Sequence, residues 1–559
     1  MDSQGTPFAT DDHIAPIGFA PQPPENSALL TLGHIYEVSG ASAQAVLDSA
    51  MVHQLSEHQD PCIAMAGQIG GFVKIKVANA WLVANIRTLA MFGSDGDRII
   101  AAIDFMGEGD YDARTRSLVN FRRGITRYPS PGLPINPLDN HELQQIFATD
   151  GRPHFEIGTV YPTKDIRGAV YLDGLLNRHF ALLGSTGTGK STAAALILHK
   201  ICALAPNGHI VVVDPHGEYS AAFKSVGALF DVNNLALPYW MMNFEEHCEV
   251  FVTSEGSDRQ RDSDLLAKCL LAARAKNRIG AEIPRLTVDS PVPYLLSDLT
   301  NIIQGEMGKM DRAGDSSPYM RLKNKIDEIK ADPRYNFMFS GMLVSDTMAD
   351  FIAKIFRMPG DGRPISIIDV SGVPSNITST VVAVISRLVF DYAVWARNEP
   401  QRPIMFVCEE AHRYIPSDRI TSHSAVRRIL ERIAKEGRKY GVSLGLITQR
   451  PSDLAEGVLS QCGTIITMRL NNERDQAMVR AAMPEGARGF LDSIPALLNR
   501  ECIICGEGVA IPIRVGLDNL EAEKRPASSD PVFSTLWREK GGEKDVLNRV
   551  VDRWRHQGR

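Results

Sequence analysis

The chain has 559 residues, 44% of them hydrophobic, 23% charged and 7% aromatic. That excludes global disorder and fibrous architecture and leaves room for roughly three to four domains of ~150 residues. Sixty Lys and Arg stand against sixty-six Asp and Glu, a net charge of −6, so this is no bulk polycation and any nucleic-acid surface must be local.

Residues 1 to 27 carry Pro7, Pro16, Pro21, Pro23 and Pro24 with little periodicity, the composition of a flexible Pro-rich tail. Residues 28 to 150 read as a small barrel or sandwich. Gly71 to Val77 alternates apolar and polar, and Trp81 to Ile86 and Ile99 to Ile103 follow at turn-punctuated intervals. Prolines 129, 131, 134 and 137 mark a stiff connection. From 151 to 515 the pattern becomes strand, loop, helix. Apolar runs at Phe180–Leu183, Ile210–Val213, Ile365–Ile368, Ile404–Val407, Val442–Ile447 and Thr464–Thr467 predict a parallel sheet covered on both faces, an α/β core. Between about 256 and 360 such runs nearly vanish and charged helical sequence replaces them, a helical insertion. Residues 516 to 559 are polar and end in an amphipathic helix.

No stretch reaches the ~18 uninterrupted apolar residues of a membrane helix. Val381 to Trp395 comes nearest and is broken by Arg387 and Asp391. The start, Met1-Asp2-Ser3-Gln4, lacks the basic and apolar regions of a secretory signal. The expectation is a cytoplasmic protein with no membrane partner. Eight scattered cysteines do not make a disulfide framework. The one close pair, Cys502 and Cys505, falls in a run that reads as a buried strand with its thiols on opposite faces, rather than half of a zinc site.

Gly184-Ser185-Thr186-Gly187-Thr188-Gly189-Lys190-Ser191 matches GxxxxGK[ST] and is followed by Thr192 and a helix-forming run. An apolar strand precedes it, so backbone amides and a helix N-terminus are set to cradle phosphates. Lys190 would reach the β- and γ-phosphates and the Ser191 hydroxyl would ligate Mg²⁺. The chain is expected to bind ATP with Mg²⁺. Hydrolysis needs more, and Ile404–Cys408 ends in Glu409-Glu410-Ala411-His412. Acids at the carboxyl end of a buried strand lie where open α/β sheets hold ligands. Glu409 is expected to hold the Mg²⁺ shell through water and Glu410 to polarise the attacking water.

Gln449 ends another buried strand and is expected to sense the γ-phosphate or orient water; a plain helix-entry role is the alternative. Asp214 also lies at a strand end, where a turn explains Asp214-Pro215 equally well. His412, a lone histidine, reads as structural. Ser424 to Glu436 is an amphipathic helix with Val426, Ile429, Leu430, Ile433 and Ala434 on one stripe. Residues 411 to 450 hold nine Lys and Arg against three Asp and Glu. Arg438, just past the helix stop at Gly437, is expected to act in trans as a finger on a neighbour's γ-phosphate, with Arg432 the competing choice. The remaining cations, Arg427 and Arg428 among them, either line a nucleic-acid channel or form a solvated face.

Together the Arg178 to Ser191 segment, Asp214 to Tyr219, Glu409-Glu410-Ala411-His412, Lys435 to Gly441 and Thr448 to Ser452 resemble the HerA family of the HerA/FtsK hexameric DNA-pumping ATPases, over roughly 170 to 515. The resemblance implies a RecA-like P-loop core with a helical insertion, preceded by an N-terminal β-barrel. It also implies a homo-hexamer with ATP between subunits and double-stranded DNA in the pore. An effector subunit, a nuclease or a sirtuin-like NAD-consuming protein, would sit on the barrel face, and bacterial members often serve in antiphage defence. The 516–559 segment would then brace a neighbour. Two functions follow as expectations: an ATP-driven DNA translocase or helicase, or an ATP-bound hexameric scaffold that activates its effector without processive movement.

Overall fold

The computed structural model describes residues 30–92, 98–112, 114, 118–309, 315–340, 344–417, 424–483, 487–527 and 531–555. The expected tail over 1 to 27 lies outside them.

The amino-terminal strands are β1 (Gly33–Ser39), β2 (Ser42–Asp48), β3 (Phe72–Val77), β4 (Ala80–Phe92), β5 (Arg98–Tyr111), β6 (Leu118–Arg123) and β7 (Pro134–Pro137). They run in the order β2-β1-β7-β3-β4-β5-β6, and β2 also pairs with β5, from Ser42 opposite Asp104 to Asp48 opposite Arg98. Six strands therefore close on themselves, with β6 attached to β5 at the side. The alternative, a sandwich, is excluded by that closure. Alternation explains it: Val73, Ile75, Leu82, Ala84, Ile86, Ala101 and Ile103 point into a single interior, with Ile35, Ala45 and Leu47 from the first hairpin. Closing the sheet also removes its unpaired edges.

The second sheet contains β8 (His154–Val160), β9 (Arg167–Tyr171), β10 (Phe180–Leu183), β11 (Ile210–Asp214), β12 (Gly227–Phe230), β13 (Ile365–Asp369), β14 (Ile404–Cys408), β15 (Val442–Thr448), β16 (Thr464–Thr467), β17 (Glu501–Gly506) and β18 (Ile513–Leu517). Its order is β12-β13-β11-β14-β15-β10-β16-β17-β18-β8-β9. From β12 to β16 every pairing is parallel. From β16 to β9 every pairing is antiparallel. All six apolar runs are strands of the parallel part. Cys502 and Cys505 are buried in β17.

Helices cover the sheet. Lys190–Leu204 packs its Ala193–Leu198 run into the core. Helices Gly256–Ala275, Leu296–Gly308 and Ser317–Ala331 pack on one another between β12 and β13. Among the described residues, Ser375–Asn398 is a segment long and apolar enough to cross a membrane by length and composition. Here it is a core helix, with Val381, Val384, Ile385 and Leu388 buried. Arg387 is taken up by Glu246 at 2.8 Å and Asp391 at 3.0 Å. Barrel and core meet where Asp104 of β5 accepts the Gly489 amide at 3.1 Å and Arg123 of β6 donates to the Gly506 carbonyl at 3.1 Å.

Candidate nucleotide site

All seven parallel strands end at one edge, and the loops there bring together the residues of interest. After β10, Gly184 turns the chain. A Cβ at this position would lie 2.9 Å from Met468 Cβ and 3.1 Å from Thr188 Oγ1, so only glycine fits between β10 and β16. Gly187 and Gly189 adopt φ of +80° and +94°, the left-handed region that glycine enters without steric cost. Thr188 is buried and its hydroxyl donates to the Ser185 carbonyl at 2.8 Å, bracing the loop from inside. The Lys190–Leu204 helix begins at Gly189 with no side chain capping it. Its first amides stay available for an anion, and the helix dipole favours one there. Ser191 and Thr192 are half-buried in that first turn.

Lys190 and Glu410 meet across this edge. Lys190 Nζ is 3.4 Å from Glu410 Oε1, and both side chains are buried, at 8% and 7% exposure. Glu410 has φ of +50°; the left-handed turn ends β14 in a conformation that costs a non-glycine residue energy and persists only where its surroundings enforce it. Glu409 is still tied to the sheet, its amide donating to the Val213 carbonyl at 3.2 Å. Its Oε1 accepts the Tyr219 hydroxyl at 3.2 Å. Among the described residues, Glu409 Oε2 and Glu410 Oε2 have no hydrogen-bond partner. Burial pushes the Glu409 carboxyl up to about 8, with the nearby Asp214 adding and Lys190 opposing. A buried carboxylate lacking a partner is costly. Two carboxylates with such an oxygen at one sheet edge, beside a lysine and an uncapped helix, are the environment a divalent cation with a polyphosphate would neutralise. The donors thus fit Mg²⁺ and nucleotide.

The outer residues are less uniform. Gln449 follows β15 and its Oε1 accepts the Thr186 hydroxyl, so the expected sensor touches the phosphate loop. Both line a polar cavity of about 500 Å³ with Ser185, Arg450 and Asn472. Asp214 is a turn former: its carboxylate accepts the amides of His216, Gly217 and Tyr219 at 3.1, 2.9 and 2.9 Å. His412, read as structural from sequence, joins the site: its Nδ1 is hydrogen-bonded with Thr448 Oγ1 at 3.0 Å and lies 3.2 Å from Glu410 Oε2 without hydrogen-bonding it. Burial holds its pKa below the usual range. Tyr219, Thr448 and the role of His412 were not singled out by pattern; each lies within a few residues of a strand end that was.

Arg438 stands apart. It lies in the Gly437–Tyr440 turn that enters β15, whereas Gln449 leaves it. A seven-residue strand separates the two edges by about 20 Å. The structure does not bring Arg438 to the phosphate loop of its own chain. Its side chain is exposed and without a hydrogen-bond or ion-pair partner among the described residues. Arg432, the competing choice, is used within the chain: its guanidinium covers the Phe390 ring at 4.6 Å and its Nε lies 3.4 Å from Glu436. Arg427 is paired with Glu431 at 2.8 Å, and Arg428 with Glu245.

Comparison with known proteins accords with this edge. The family model described as "Helicase HerA, central domain" matches residues 155–389. The DNA double-strand break repair helicase HerA of Pyrococcus furiosus is 26% identical over 492 residues, 82% of this chain and 83% of that protein. A probable helicase of Methanocaldococcus jannaschii is 26% identical over 427 residues, 75% of this chain and 76% of that protein. Among solved structures, VirB4 of Thermoanaerobacter pseudethanolicus aligns with a TM-score of 0.47 at 13% identity, covering 67% of this chain and 99% of that one. With a phosphate loop, an acid pair and a closed barrel in one polypeptide, and these two relatives aligned along three quarters or more of its length, the chain is similar to the HerA helicases, and its residues 155–389 match the central domain of that family.

Proposed function

We propose that this protein is an ATP-hydrolysing motor that translocates along or unwinds double-stranded DNA as a ring of six. The observation that carries the catalytic part is the convergence of Lys190 with Glu410 at 3.4 Å, both buried, beside two carboxylate oxygens that lack partners.

The backbone amides from Gly184 to Thr192 hold the phosphates, with Ser185, Thr186, Gly187, Thr188 and Gly189 forming the cradle and Lys190 reaching the β- and γ-phosphates. Ser191 and, through water, Glu409 would hold Mg²⁺, which would supply charge neutralisation for the bound phosphates. Lys190 and Glu410 neutralise each other in the structure described; phosphate draws the lysine away and leaves Glu410 free to polarise water. His412, held by Thr448, flanks the Glu410 carboxylate from the other side, and Gln449 orients the γ-phosphate end. Arg438 completes the site from the neighbouring subunit, a reading supported by its exposure and its distance from its own phosphate loop.

The residues from 28 to 150 and from 151 to 515 act as barrel and motor, and 516 to 559 brace a neighbour. In the Lys544–Arg555 helix Val546, Leu547, Val550, Val551 and Trp554 are all exposed, an apolar face suited to that contact. The barrel carries an effector, a nuclease or a sirtuin-like NAD-consuming protein, in DNA end processing or antiphage defence. The test is ATP turnover by the purified ring with and without duplex DNA. Stimulation by duplex ends, lost in Glu410→Gln with ATP binding retained, is the expected result. Turnover indifferent to DNA removes the motor and leaves the scaffold.

A further inference from the structure

Arg500 lies across the phosphate loop from the acid pair. It immediately precedes β17, whose Ile503 pairs with Thr467 at the end of β16, so it sits at the same sheet edge as Lys190. Its backbone amide donates to the Thr188 carbonyl at 3.1 Å, and its own carbonyl accepts the Leu517 amide at 2.8 Å. A Cβ built on Gly189 would lie 3.5 Å from Arg500 Cγ, so the arginine stem runs over the last glycine of the loop. The backbone is left-handed there, φ +66°, a region an arginine enters only under constraint.

The surrounding loop supplies that constraint and leaves the guanidinium alone. Arg469 donates to the Leu497 carbonyl at 3.3 Å and to Asn499 Oδ1 at 2.8 Å. Glu501, the adjacent acid, is occupied by the Leu498 amide at 2.9 Å and by Arg514 at 2.7 Å. Arg500 itself is exposed and makes no side-chain hydrogen bond or ion pair with any described residue. A fixed backbone thus presents an unneutralised cation beside a loop built to receive anions.

Strand order says which part of the ligand it faces. Glu410 follows β14, two strands from β10 on one side, and Arg500 precedes β17, two strands from β10 on the other. Lysine and acids serve the β- and γ-phosphates, and loop amides the α- and β-phosphates. We propose that Arg500 is a further nucleotide-binding residue, acting within its own subunit on the α/β-phosphate end of a nucleoside di- or triphosphate. The inference rests on the reading of this edge as the ATP site.

The Thr188 contact is made by the Arg500 backbone, so side-chain variants isolate the guanidinium. Titration of the full-length protein with fluorescent ADP and a fluorescent non-hydrolysable ATP analogue tests it, with denaturation midpoints checking that each variant folds. Arg500→Ala and Arg500→Gln should weaken both nucleotides by the same factor, about tenfold, and Arg500→Lys should recover part of the loss. Unchanged ADP affinity in Arg500→Gln overturns the assignment, as does a loss confined to the triphosphate, which would place the side chain at the γ end. Lys190→Ala separates the two layers: if it binds nucleotide like the parent, the reading of the site itself has failed. If only the Arg500 variants do, this inference alone has failed.

Discussion

The barrel and the nucleotide edge both bury charge, but in opposite ways. In the barrel, Lys74 of β3 pairs with Glu142 of the Asn140–Phe147 helix, both buried, and the lysine also lies 4.7 Å from the Trp81 ring centroid. Glu108 of β5 accepts the Thr126 amide at 2.8 Å and Arg122 at 2.7 Å, which hold its carboxyl below the usual range. Those buried acids have partners. At the nucleotide edge Glu409 and Glu410 each keep an oxygen with none, and burial raises Glu409. A satisfied buried pair serves the fold, whereas carboxylate oxygens left without a hydrogen bond mark where a ligand would complete the set.

That contrast can be broken by exchanging what is removed. The largest effect is expected on catalysis: Arg438→Ala should lower turnover about 10³-fold without weakening nucleotide binding, the range seen for trans-acting arginines. Steady-state kinetics with a parallel binding titration checks it. Glu410→Gln should cost about 10² to 10⁴ in turnover, the usual contribution of a general base, again with binding retained.

In the barrel the same kind of change should act on stability instead. Glu142→Ala strands the buried Lys74 and should destabilise the fold by about 3–5 kcal/mol, read from denaturant midpoints, with nucleotide affinity of the folded fraction unchanged. Glu409→Gln should move stability the other way, raising the nucleotide-free midpoint by about 1 kcal/mol while removing activity. If Glu409→Gln destabilises as Glu142→Ala does, the distinction between the two regions is lost.

The smallest effect concerns His179, whose Nδ1 accepts the Leu444 amide at 2.9 Å and whose Nε2 donates to the Ala434 carbonyl at 3.0 Å. That arrangement needs the neutral ring, and burial holds its pKa below the usual value. Its contribution is therefore full above the unfolded pKa of about 6.5 and is lost as pH falls below it, because the unfolded chain takes up the proton first. His179→Gln should flatten the stability-versus-pH curve below pH 6.5 by at most about 1.4 kcal/mol per pH unit relative to the parent.

Much of the fold was legible because buried parallel strands must be apolar throughout. The runs at Phe180–Leu183, Ile210–Val213 and Thr464–Thr467 contrast sharply with their flanks, and each is a strand. Strands β8, β9 and β18 were not, since they include exposed or half-buried positions such as Glu156, Arg167 and Arg514 that dilute the pattern. Val170 lies in β9 and joins the second sheet.

At the site, the order GxxxxGK[ST] followed by a strand ending in two acids singled out Lys190, Ser191, Glu409 and Glu410, which the sheet brings to one edge, because phosphate binding imposes local spacing that survives in one dimension. Which tyrosine hydroxyl meets Glu409 and which arginine overlies Gly189 depend on pairings between residues 190 or more positions apart or on a strand order, β15-β10-β16-β17, that chain order does not contain. Local chemistry is written along the chain; the contacts that complete it arise only when the sheet brings distant strand ends to one edge.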